Sequence, residues 1–200
     1  MSIYLIRHTA PLIEKGTCYG QADIDIKDSF FDEAAIIKTV IPVEFRQVWS
    51  SPLQRCRKLA EHLFPTCPIN LERKLKEINC GEWELQKWDD IPSHIVDPWM
   101  KDYVNVRIPG GENYIDVYDR AVDSFLNIAS GETPVAIVTH GGVIRSILAH
   151  ITGTPLLDSF KAFAIHYGCV IRVSRNADGF IHEVLSNIPT SKEQHKPSPK

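Results

Sequence analysis

The run Val135-Ala136-Ile137-Val138-Thr139, introduced by Pro134 and followed at once by His140-Gly141-Gly142, constrains this chain more than any other segment. Apolar and β-branched residues in unbroken succession describe a strand buried on both faces, the situation of a parallel sheet covered by helices. The next stretch carries Val143, Ile144, Ile147, Leu148 and Ile151 on one side of a helix. Ser2 to Ile6 repeats the pattern, because a short apolar run ends at Arg7-His8 and Pro11 cannot continue a central strand. In such sheets ligands bind beyond the carboxyl ends of the strands, so Arg7-His8 and His140-Gly141 are expected on one rim.

The remaining segments fit the same architecture. Gln47 to Ser50 and Ile69 to Leu71 read as short strands, with a helix between them whose apolar spacing is Leu53, Cys56, Leu59, Ala60 and Leu63. Ser51-Pro52 would start that helix as N-cap and first helical residue. Arg55 then falls one turn in, on a face distinct from the apolar one. Phe30 to Val40 and Glu112 to Ser130 read as further helices, the second with a stripe of Ile115, Tyr118, Val122, Phe125, Leu126 and Ala129 and a close at Gly131. Two last strands, near Gly168 to Ser174 and Phe180 to Leu185, flank the turn residues 176–179 and form an antiparallel hairpin.

The expectation is an α/β fold: a three-layer sandwich with a mostly parallel central sheet, an antiparallel edge and helices on both faces. Residues 1–188 would form one domain, and 189–200, polar and without an apolar stripe, a disordered tail. Residues 74–110 break the pattern with three tryptophans and three prolines, an excursion expected to cover a site.

Composition narrows the function classes. The net charge of -3, with no basic stripe interleaved with aromatics, gives no footprint for nucleic acid or an anionic membrane surface. No window reaches the ~18 apolar residues of a membrane helix. The five cysteines are scattered and form no C-x-x-C, which disfavours a disulfide scaffold or a zinc site and points to the reducing cytoplasm. No cofactor or metal is expected.

The rim residues carry a coherent chemistry. A phosphoryl group needs cations on its oxygens, an in-line nucleophile and an acid for the leaving oxygen. Arg7 and Arg55 offer forked donors, and His8 is a nucleophile that works neutral near pH 7. His140 could donate to the oxyanion side, and the helix opening at Gly141-Gly142 presents backbone N–H groups where an anion is favoured.

Those residues lie in segments that resemble a known family. Leu5-Ile6-Arg7-His8-Thr9, Ser50-Ser51-Pro52-Leu53-Gln54-Arg55, Glu77-Ile78-Asn79-Cys80-Gly81-Glu82-Trp83-Glu84, Pro109-Gly110-Gly111-Glu112 and Thr139-His140-Gly141-Gly142 are similar, in that order, to the five motifs of the histidine phosphatase (phosphoglycerate-mutase-like) family. The resemblance implies a metal-independent enzyme with His8 as phospho-acceptor, Arg7, Arg55 and His140 as phosphate ligands, and Glu77 as proton donor. Thr9, Cys80 and Leu85 depart from the family's usual glycine, aromatic and glycine, and the asparagine often found in the first loop is absent. The stretch Arg7 to Pro11 with Gly16 to Asp23 resembles alpha-ribazole phosphatases of cobalamin nucleotide-loop assembly. That implies a small-molecule phosphomonoester as partner; a homodimer is left open.

Blander readings stand beside these. Glu72, Glu82 and Glu84 crowd Glu77, which is favoured for its spacing to Gly81. The remaining histidines are expected to have no catalytic duty, although His166 falls where a final strand could reach the pocket. Trp83, Trp88 and Trp99 read as core or cover, and Cys18 as an inert small apolar residue. A phosphoglycerate-mutase-type phosphotransferase, a broad-specificity phosphatase and a non-catalytic phospho-ligand module are the rival functions.

Overall fold

A computed structural model describes residues 2–189, apart from 43, 132 and 178. The disordered tail expected over 189–200 therefore lies, from residue 190 on, outside the described residues. Six strands form one sheet: β1 (Ser2–Arg7), β2 (Gln47–Ser50), β3 (Ile69–Leu71), β4 (Val135–Thr139), β5 (Val170–Asn176) and β6 (Gly179–Ser186). Their spatial order is β3-β2-β4-β1-β5-β6. The first four in that order run parallel, and β5 and β6 are added antiparallel. The mixed α/β sheet with an antiparallel edge is thus as expected.

Alternation along each central strand feeds two cores. Ile3, Leu5, Ile137 and Ile171 pack with α4 (Tyr114–Ile128) and α5 (Gly141–Thr152). Tyr4, Ile6, Val48 and Val138 pack on the other face with α1 (Phe30–Lys38) and α2 (Gln54–Leu63). Burying one such aliphatic side chain contributes about 1.5–3 kcal/mol. The excursion adds three 3-10 turns and α3 (Ser93–Lys101), and α6 (Ser159–Ala162) follows α5. Cys18, Cys80, Trp83, Trp88, Ile91, Val96 and Ile108 form a third, separate apolar cluster there. No helix among the described residues is long and apolar enough to cross a membrane.

Four local expectations are corrected. Helix α2 begins at Gln54 with Leu53 extended at its N-cap, so Pro52 is not helical, and the Ser51 hydroxyl accepts the Leu53 N–H at 3.3 Å. Helix α4 begins at Tyr114, because Asn113 and Asp116 close a reciprocal capping box there. Its buried apolar face is Tyr114, Val117, Ala121, Val122, Phe125 and Ile128; Val122, Phe125 and Ala129 are buried as expected, whereas Leu126 is 42% exposed. The helix ends at Ile128, and Gly131 supplies no left-handed cap; Gly153, at φ 69°, does so for α5.

Candidate active site

Strands β1 and β4 are adjacent and in register from Ile3 opposite Val135 to Arg7 opposite Thr139. The residues that follow them are therefore neighbours: the His8 and His140 rings lie 5.0 Å apart, edge to face. His8 is 2% exposed, and its Nδ1 stands 2.7 Å from the Thr9 carbonyl. A carbonyl only accepts, so Nδ1 carries the ring hydrogen and the lone pair of the neutral imidazole belongs to Nε2.

His140 is fully buried, with Nε2 2.8 Å from the Ser51 hydroxyl and 3.4 Å from the Cys56 sulfur. Both partners belong to the segment that opens α2, so the Nε2 edge of the ring meets that segment. Burial, then the fields of Arg55 and His8, hold its pKa well below the ordinary histidine value. Burial likewise pushes the Cys56 thiol up to about 12, which leaves it inert.

The depressed His140 pKa has a measurable consequence. An unfolded imidazole titrates near pH 6.5, so below about that pH the unfolded chain binds a proton the folded chain refuses. Stability should therefore fall as pH drops from 6.5 toward the folded pKa, by up to about 1.4 kcal/mol per pH unit for this group. Urea midpoints between about pH 7.5 and 5 should show that slope reduced by this amount in His140→Asn.

Arg55 is also wholly buried. Its Nη2 donates to the Gly20 carbonyl at 2.6 Å and Nη1 to the Ala22 carbonyl at 2.9 Å, while Nε has no hydrogen-bond partner among the described residues. Arg7 donates from Nη1 to the Ile165 carbonyl at 2.5 Å, and its guanidinium lies over the Tyr167 ring at 3.9 Å. Gly141 is buried; a methyl group on it would meet Arg145 Nη1 at 3.2 Å and Arg7 Nε at 3.4 Å. The free helix terminus expected at Gly141-Gly142 is corrected, because the Gly142 N–H donates to the Glu77 carboxylate at 3.1 Å. The N-terminal end of α5 thus lies against the Glu77 side chain. A methyl group at Gly142 would stand 2.3 Å from Glu77 Oε1, so the approach requires glycine.

The backbone carrying Glu77 is clamped. Arg120 donates to the carbonyls of Lys74, Lys76 and Glu77 and pairs with Glu112, whose carboxylate accepts the Asn79 N–H at 2.8 Å. Gly81 and Gly111 let the two acidic motifs interlock: an added methyl group would lie 2.2 Å from the Pro109 carbonyl and 2.3 Å from that of Asn79. Leu85, 60% exposed, occupies the left-handed region at φ 65°, where a side chain strains the backbone. Leu85→Gly should raise the unfolding free energy by about 1 kcal/mol in urea denaturation.

Arg7, His8 and Glu77 line a cavity of about 360 Å³. Aromatic side chains share its lining, with Trp88 and Trp99 stacked 5.9 Å apart, Tyr103, Tyr114 and Phe160. Arg145 also lines it, braced by the Phe163 carbonyl at 3.0 Å and lying 4.4 Å from the Phe160 ring centre. Of the other expected residues, Arg55, His140 and Gly141 are buried and do not line the cavity; nor do His166, Trp83 or Cys18. Sequence reasoning missed Arg145, although its place four residues after Gly141 puts it one turn into α5 from the rim.

A family model described as "Histidine phosphatase superfamily (branch 1)" matches residues 3–188. The chain belongs to the histidine phosphatase superfamily. A metal-independent phosphoserine phosphatase of Arabidopsis thaliana is 31% identical over 163 residues, 75% of this chain and 68% of that one. A Caenorhabditis elegans 6-phosphofructo-2-kinase/fructose-2,6-bisphosphatase is 29% identical over 171 residues, 78% of this chain. The match covers only 35% of that longer protein. Among solved structures, the alpha-ribazole phosphatase from Shigella flexneri superposes with a TM-score of 0.85, covering 96% of this chain and all of that one. At 22% identity this likeness is one of fold. The histidine phosphatase fold accounts for the shared rim of β1 and β4.

Proposed function

We propose that residues 1–188 form one catalytic domain, a metal-independent phosphomonoesterase working through a phosphohistidine. The observation that carries the reading is the meeting of His8, its lone pair directed to Nε2, with Arg7 and Glu77 in one cavity. In the first step Nε2 forms a bond to phosphorus as the bond to the alcohol oxygen breaks, and Glu77 gives that oxygen its proton. In the second, water attacks phosphorus, Glu77 takes the water's proton and the nitrogen–phosphorus bond breaks. Arg7, which lines the cavity, and Arg55, buried behind that lining 5.4 Å from the ring centre of Tyr19, supply the positive charge on the phosphoryl oxygens that a metal would otherwise provide. His140 acts as a neutral buttress of the pocket.

The substrate favoured is alpha-ribazole 5'-phosphate, hydrolysed in the cytoplasm. The aromatic wall suits a flat apolar ring, and the first-loop segment resembles that phosphatase group. Arg145 in the same cavity favours a second reading, a phosphomonoester whose alcohol carries a carboxylate, such as phosphoserine. Purified protein assayed with EDTA against alpha-ribazole 5'-phosphate, phosphoserine, 3-phosphoglycerate and sugar phosphates separates these. Turnover unaffected by EDTA and highest kcat/KM for alpha-ribazole 5'-phosphate are expected. Highest kcat/KM for a carboxylate-bearing ester would transfer the assignment to the second reading, and isomerised 3-phosphoglycerate would make the enzyme a mutase. Full loss of activity on chelation would end metal independence.

A further inference from the structure

The loop after β1 is held by a carboxylate that takes no part in the chemistry above. Glu84 follows Trp83, which is buried in the cluster it shares with Cys18, Cys80 and Trp88. It precedes Leu85, whose N–H donates to the Cys18 carbonyl at 2.9 Å. That contact sets residues 84–86 alongside the loop and brings the Glu84 carboxylate against Gly20-Gln21-Ala22. Oε2 accepts from Gly20 N at 3.0 Å and Ala22 N at 3.1 Å; Oε1 accepts from Gln21 N at 2.7 Å and Cys80 N at 3.0 Å.

With the N–H groups of three successive residues collected on Glu84, two of their carbonyls receive the guanidinium of Arg55, at 2.6 Å from Gly20 and 2.9 Å from Ala22. The same stretch reaches the acid, because Gln21 Nε2 donates to the Glu77 carbonyl at 3.0 Å. Gly20 admits no substituent, since a methyl group there would stand 1.8 Å from the Ile78 carbonyl. Charge-assisted bonds of this kind are about twice as strong as neutral ones. Without the carboxylate the loop N–H groups must find other acceptors, and any rotation that serves them moves the carbonyls that seat Arg55.

We propose that Glu84 is a positioning residue for the phosphoryl site: by gathering the N–H groups of Gly20, Gln21 and Ala22, it turns the Gly20 and Ala22 carbonyls onto Arg55 and sets where that guanidinium stands. The inference rests on the reading of Arg55 as a phosphate ligand and deepens it.

A double-mutant cycle on the full chain with p-nitrophenyl phosphate tests it. Glu84→Gln keeps the shape but places an amide NH2 among donors, and should lower kcat/KM about ten- to a hundredfold, with phosphate inhibition weakened in parallel. In an Arg55→Ala background the same change should alter kcat/KM by less than about threefold. An equal loss in both backgrounds, or a Glu84→Gln enzyme within about threefold of wild type, overturns the proposal. Glu84→Asp, charged but one methylene short, goes through the same cycle and decides the matter if Glu84→Gln does not fold. An Arg55→Ala enzyme with full activity would defeat the parent reading. A crippled one in which the Glu84 effect is undiminished would defeat this inference alone.

Discussion

His8→Ala is expected to lower kcat/KM for any phosphomonoester by roughly 10⁴-fold or more, the scale on which deletion of a covalent nucleophile acts. The ring sits at the end of β1 with its main-chain N–H on the Thr139 carbonyl at 3.0 Å, so its position is built into the sheet and not into a mobile loop. The Thr9 carbonyl accepts from Nδ1, which leaves the lone pair of the neutral ring on Nε2 for the proposed attack. Wild-type enzyme mixed with substrate and quenched in alkali should retain a phosphoryl group on His8 that acid removes, as expected of a nitrogen–phosphorus bond. The alanine variant should retain none. A His8→Ala enzyme with a tenth or more of wild-type activity, or a phosphoenzyme that still forms without His8, would refute the mechanism.

Arg55→Ala should reduce kcat/KM by about 10²–10³-fold, or roughly 3–4 kcal/mol of transition-state stabilisation. A buried guanidinium held by carbonyl dipoles is costly unless an anion shares its site. The same substitution strips the Gly20 and Ala22 carbonyls of their donors, so stability should also fall, by about 1–3 kcal/mol. Arg55→Lys separates charge from geometry: it retains the cation but cannot reach both carbonyls in a fork, and should recover only part of the loss. Steady-state kinetics beside urea melts check both effects. Activity within tenfold of wild type in Arg55→Ala would remove the residue from the site.

The sheet was legible because its central strands are short apolar runs cut off by charge or proline, and β2 and β3 have the expected bounds. The rim followed from strand ends alone, which is why Arg7, His8 and His140 could be grouped before any coordinates. What the sequence hides is orientation. His140 turns toward Ser51 and Cys56, partners 89 and 84 positions away, and no local pattern reveals which ring nitrogen meets them. Helix α4 shows the same limit, since several rotations place apolar residues inward, and the capping box and contacts with α5 select one. The cavity wall was illegible for a simpler reason: Trp88, Tyr103, Tyr114 and Phe160 come from separate segments that meet only in three dimensions.

The tryptophan-bearing cover has a packing nucleus of its own, distinct from the two that sandwich the sheet. Ile78 packs against both this nucleus and the one beneath α4 and α5, and Glu84, next to the buried Trp83, holds the loop that seats Arg55, so exchanges in the indole wall couple to the rim through those two residues. A roof jointed to its foundations in this way can be remodelled freely only away from the joints.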